Sequence, residues 1–162
     1  MRLAAAAHWL EEAIGRACAA AAVALGVAIF ALMLLGIAGR HVLSRGLPAV
    51  TELPEQLFGW FVMASIVLAA RTGAHVAVEF LALRAGPVWR HRLGMLAQCL
   101  TVVLCATVVW TVARVAAIAG GDRSPILGIP TLHFHLALAL GFGLVGVLAL
   151  CALARGAARE RP

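Results

Sequence analysis

The chain has 162 residues, of which 64% are hydrophobic and 12% charged, where soluble domains run at about 45–50% apolar and about 25% charged. A mean hydropathy of +1.01 excludes intrinsic disorder, which requires low hydrophobicity. The net charge of +6 comes from 13 arginines and no lysine; they are scattered at the edges of apolar runs, which argues against a nucleic-acid partner and for a small polytopic membrane protein whose charges report its topology.

In chain order, residues 1–15 read as a short amphipathic surface helix, with Trp9 at the interface and Glu11 and Glu12 on the wet side. The uncharged run 17–39 is long enough to span, exceeds the h-region of a secretory signal, and is followed by further apolar runs. The next uncharged gap, from Glu55 to Arg71, holds only 15 residues, about 22 Å of helix against a hydrocarbon core of about 30 Å. The second span therefore has to run past its charges, over 52–75. Thr51 would be its N-cap, Pro54 would lie in the first turn, and Glu52 and Glu55 would sit at the positive end of the helix dipole. Val76, Phe80 and Leu83 recur at i, i+4 and i+7, so 76–85 reads as a short amphipathic interfacial helix, ended by Gly86-Pro87 and followed by Trp89 at headgroup depth. The third span is expected over 93–119 and the fourth over 130–154. Between them Gly120-Gly121 stops a helix, Ser124-Pro125 turns, and Pro130 opens the next helix at or near N1. The expected fold is an all-α membrane protein: one domain with four transmembrane helices, plus the interfacial helix between the second and third.

Nine arginines fall on the side of the two termini and four on the other, so the positive-inside rule places both termini in the cytoplasm. Glycines are frequent on the spans, at Gly26, Gly36 and Gly39 and again at Gly141, Gly143 and Gly146; such residues let helices approach closely, within the chain or against a partner.

Catalytic and cofactor signatures are sparse. The four cysteines form no CxxC pair and read as packing residues. There is no GxSxG, HExxH or P-loop, and His133-Phe-His135 is too few ligands for a zinc site. His41 with His133 or His135, or His75 with His91, would supply the two axial ligands of a haem, which makes a small four-helix bis-histidine cytochrome b the alternative from another class. These histidines lie at span edges, and His133 and His135 diverge on a helix. An autonomous transporter needs ionisable groups near mid-depth; here Arg40, Glu52, Glu55, Arg71, His75, Glu79 and Arg114 all gather at the boundaries. That pattern is one of a non-catalytic scaffold or partner-binding subunit, without cofactor or metal, more than of a self-associating substrate conduit.

Arg40, Glu52, Trp60, Arg71, Gly73, His75 and Glu79 fall in an order that resembles the small transmembrane subunit, the DctQ-type protein, of tripartite ATP-independent periplasmic (TRAP) transporters. The stretch RTGAHVAVEFL follows that family's R-x-G-x-H-x-x-V-[DE]-x-L pattern, and SPILGIP, with Ser124, Pro125 and Pro130, matches its loop before the fourth span. The likeness covers about residues 16–155. It departs where the family often has a paired acid before the second span, since Thr51 precedes Glu52 and Glu55 lies downstream, and where Glu79 replaces the commoner Asp. The resemblance implies a bacterial inner-membrane importer of organic acids. In it a periplasmic substrate-binding protein captures the substrate, a large multi-span subunit moves it, and the small subunit braces the large one and helps form the docking surface. Arg40, Glu52, Trp60, Arg71, His75, Glu79, Ser124, Pro125 and Pro130 would then contact partner or membrane lipid. His75 and Glu79, at i and i+4, would anchor the surface helix.

Overall fold

The computed structural model describes residues 2–43, 48–71 and 87–158. They form four helices: α1 (Arg2–Leu43), α2 (Pro48–Arg71), α3 (Pro87–Ala119) and α4 (Leu132–Ala158). Each contains a stretch long and apolar enough to cross a membrane. The expected interfacial helix over 76–85, and with it His75 and Glu79, lies outside the described residues.

Boundaries differ from expectation at three places. The segment expected as a separate surface helix instead continues into the first span, giving one helix of 42 residues, about 63 Å long. Nothing stops it: the alanine runs on both sides of Gly15 are the strongest of helix formers, and one interior glycine costs only about 1 kcal/mol. The second correction is the start of α2. It begins at Pro48, one turn before Glu52. Thr51 is therefore inside the helix, its hydroxyl donating to the Pro48 carbonyl at 2.7 Å, and is not the N-cap. Pro54 lies in the helix interior. Pro48 suits the first position, where its missing N–H is one of the unpaired ones anyway. α3 contains the expected third span and extends it back to Pro87, whereas α4 begins at Leu132, two residues later than expected, and runs on to Ala158; Pro130 does not open it but pairs with Arg123 in the loop before it.

The helices pack as a row in the order α1, α2, α4, α3. α2 and α4 are central, α1 also brushes α4, and α3 touches neither α1 nor α2 among the described residues. The core is correspondingly thin: Cys18, Val67 and Leu148 cluster with Ile14, Ala70, Leu144 and Val145. Glycines set the spacing of the two central helices. Gly59 lies against the Phe134 ring, where a Cβ would come within 2.7 Å, and Gly141 lies directly under Met63. Gly26 similarly accepts Phe61, and Gly146 accepts Cys105, so most of the small residues singled out in the sequence serve contacts within the chain. Phe30, Trp110, Ile118 and many other large apolar side chains point outward, as they must where the surrounding medium is hydrocarbon.

The α2–α4 contact gives a paired test. Gly141→Leu has no room beside Met63 and is expected to lower stability by about 1–3 kcal/mol, the usual cost of overpacking. Gly143→Leu, on the same helix but with nothing within 4 Å, is expected to leave it unchanged. Thermal unfolding in detergent distinguishes the two.

Candidate functional site

Polar structure is concentrated at the two ends of the row. At one end the 120–131 loop joins α3 to α4 and is knitted by its own backbone. Gly120 N–H closes α3 on the Ala116 carbonyl at 2.9 Å. The Asp122 carbonyl accepts both the Thr131 N–H, at 2.8 Å, and the Thr131 hydroxyl, at 2.9 Å. Ser124 works three ways: its N–H donates to the Ile129 carbonyl, its carbonyl accepts the Gly128 N–H, and its hydroxyl oxygen accepts the Ile129 N–H at 3.1 Å. Gly128 turns the chain with a φ of 64°, a conformation that favours glycine. Its carbonyl accepts from the Arg123 guanidinium. Arg123 and Pro130 face each other as an isolated antiparallel bridge.

The loop's tip is held from outside. The Leu127 N–H donates to Glu52 Oε2 on α2, at 2.7 Å across 75 residues of sequence. Glu52 is only 5% exposed, and its second oxygen, Oε1, is buried without a hydrogen-bond partner among the described residues. Beside the clasp opens a cleft of about 460 Å³, lined among others by Thr51, Glu55, Gln56, Arg123 and Phe134. Glu55 therefore shares the cleft with Glu52, though it is exposed and makes no ion pair among the described residues.

At the opposite end, charges from three helices meet. Arg155 on α4 donates to Glu11 on α1. Glu12 lies 4.0 Å from both Arg16 and Arg71. Gly15 leaves the space that the Arg71 side chain occupies. The half-exposed Glu12 pairs contribute at most about 1 kcal/mol each. The Glu11 side chain is better protected, at 12% exposure.

Of the residues singled out in the sequence, the structure unites Glu52, Ser124, Pro125 and Pro130 in or beside the clasped loop. Arg40 is exposed at the C-terminal end of α1, on the same end of the row. Trp60 is half-buried along α2, away from both clusters, and Arg71 belongs to the opposite end. The sequence reading missed Leu127, whose contribution is a backbone N–H that no side-chain pattern reveals. It also placed Glu11 and Glu12 in water, although two acids at the level of Arg71 and Arg155 were a signal for pairing. The histidine pair gains no support as haem ligands. His133 Nδ1 meets the Pro130 carbonyl and His135 Nδ1 the Thr131 carbonyl, local bonds of the helix start.

Removing the clasp is measurable. Glu52→Ala leaves the Leu127 N–H without an acceptor and is expected to cost about 1.5–3 kcal/mol, the range for hydrogen bonds to charged groups. Glu52→Gln retains an accepting oxygen and should cost less. Amide exchange at Leu127, read against the rest of the chain, is expected to speed up in the order wild type, Gln, Ala.

Comparison with known proteins follows the same line. A family model described as "Tripartite ATP-independent periplasmic transporters, DctQ component" matches residues 29–159. The chain is also 32% identical over 131 residues to a protein of Sinorhizobium fredii described as "Uncharacterized protein y4mM"; the match takes in 80% of this chain and 24% of that protein. The chain thus spans about a quarter of the length of this relative.

Proposed function

Because the chain belongs to the DctQ component family of tripartite ATP-independent periplasmic transporters, we propose that it acts as the non-catalytic scaffold subunit of such an importer of organic acids. It braces a large multi-span transport subunit, and its 120–131 loop helps dock the periplasmic substrate-binding protein. The observation that carries this reading is where the polar groups are. Between the Glu52 clasp at one end and the Glu11, Glu12, Arg71 and Arg155 cluster at the other, the helix contacts are made by Gly59, Met63, Val67, Gly141 and Leu148. A substrate path through the membrane needs ionisable or polar groups near mid-depth, and none of these residues supplies one. A scaffold needs instead a firm packed seam and outward apolar faces, which α1 and α3 present.

In this reading both termini are cytoplasmic and the clasped loop faces the periplasm of a bacterial inner membrane, in keeping with the nine-to-four division of arginines. Ile126, exposed in the loop, tests it. Ile126→Cys is expected to react with a membrane-impermeant maleimide in cells whose outer membrane has been made permeable, whereas labelling only after lysis of the inner membrane would reverse the topology.

The scaffold role is tested by extraction of the tagged chain from its host in mild detergent. A large multi-span protein is expected to co-purify in near-equal amount, and deletion of the chain to abolish uptake of the substrate. Substrate uptake by liposomes containing this chain alone would refute the scaffold role and return the self-associating transporter to first place.

A further inference from the structure

We infer that the end of the row opposite the 120–131 loop carries a phosphodiester site that takes the headgroup of an anionic lipid. A cavity of about 100 Å³ there is walled by side chains from all four helices: Glu11 of α1, Arg71 of α2, Gln98 and Thr101 of α3, and Arg155 of α4. That space has room for one tetrahedral oxyanion.

The walls hold more donor capacity than the described residues use. A guanidinium offers five N–H groups. Arg155 donates to Glu11, and Arg71 approaches Glu12 only to 4.0 Å, beyond hydrogen-bonding distance. Gln98 brings an amide with two further donors. The Thr101 hydroxyl gives its proton to the Ala97 carbonyl, so it lends the cavity polarity without a donor. Arg16, Arg71 and Arg155 stand against Glu11 and Glu12, which leaves one positive charge for a singly charged phosphodiester to neutralise. Guanidinium groups bind such oxyanions through paired, charge-assisted hydrogen bonds.

Two features favour a lipid as the source of the phosphate. Arg155 ends its membrane-capable stretch and Arg71 closes the uncharged run that follows Glu55, which sets the cavity at headgroup depth. In addition, α3 packs on neither α1 nor α2 among the described residues, although Gln98 and Thr101 face Glu11 and Arg71 across the cavity. Among the described residues a seam is left between them, down which acyl chains can run from a headgroup lodged among the arginines. Basic pockets between helices at a membrane boundary are a recurrent form of anionic-lipid recognition.

The test is native mass spectrometry of the full chain released from detergent micelles, with phosphatidylglycerol, phosphatidylcholine and inorganic phosphate as probes. One phosphatidylglycerol is expected to be retained about tenfold more strongly than phosphatidylcholine, the effect of one charge-assisted hydrogen bond. Arg71→Gln and Gln98→Leu are each expected to weaken retention, and Arg114→Gln, at the far end of α3, to leave it unchanged; far-UV dichroism confirms that the variants keep their helix. Failure of millimolar inorganic phosphate to compete supports the lipid, whereas full competition would overturn the lipid assignment in favour of a free oxyanion. Equal retention of the two lipids, or wild-type retention by both folded cavity variants, would overturn the site itself.

Discussion

A carboxylate at the rim of a hydrocarbon layer must reach water or find a donor, and Glu52 takes the second course with the Leu127 N–H. That bond does more than satisfy one oxygen. The loop between α3 and α4 is closed by its own backbone, yet those bonds alone would leave it hinged on two helix ends. Glu52 ties its tip to α2, the helix on the other side of α4. α4 is thereby registered against α2 at the top by the loop and along its length by Gly59 against Phe134 and Gly141 against Met63. The outer helices hang on this central pair, α1 on α2 and α3 on α4.

The two ends of the row hold charge differently. Around Glu52 the partner is a neutral backbone group and the carboxylate is enclosed. Around Arg71 and Arg155 the partners are other charges, partly exposed, in an arrangement that adds little stability but sets a local electrostatic field. The first kind of contact fixes a shape. The second keeps a reserve of positive charge at the membrane boundary.

Much of this was legible in the sequence because a bilayer is a severe solvent. Gaps between charges located all four helices; the short gap before Arg71 implied a second helix running past its charges over 52–75, and α2 does enfold Glu52 and Glu55, while residues 72–75 lie outside the described residues. What stayed hidden has specific causes. Amphipathic patterning made residues 1–15 look like a separate surface helix, but patterning cannot show whether two helical segments are joined, and the alanines joining them have every reason to stay helical. Thr51 matched an N-cap, yet Pro48 offered an earlier start. Ser124, Pro125 and Pro130 marked a loop, and Glu52 stood out as a boundary acid. Their connection runs through the Leu127 amide, which looks the same at every residue. Glu11 and Arg155 are almost a full chain length apart, and only the fold shows that α1 and α4 meet at their level.

The order of helices in space differs from their order in the chain. Among the described residues the third helix to be synthesised packs only against the fourth, and the fourth lies between the second and the third. While α4 is still on the ribosome, α1 and α2 can already pair, but α3 has no other described helix to lean on, and Glu52 has no loop to hold. Assembly of these four helices is therefore decided by α4. It must pass between two segments already in the membrane, and the pairing of Arg155 with Glu11 joins α4 to α1. A nascent chain halted before α4 would leave a helical hairpin and a lone helix, with no part of the clasped loop in place.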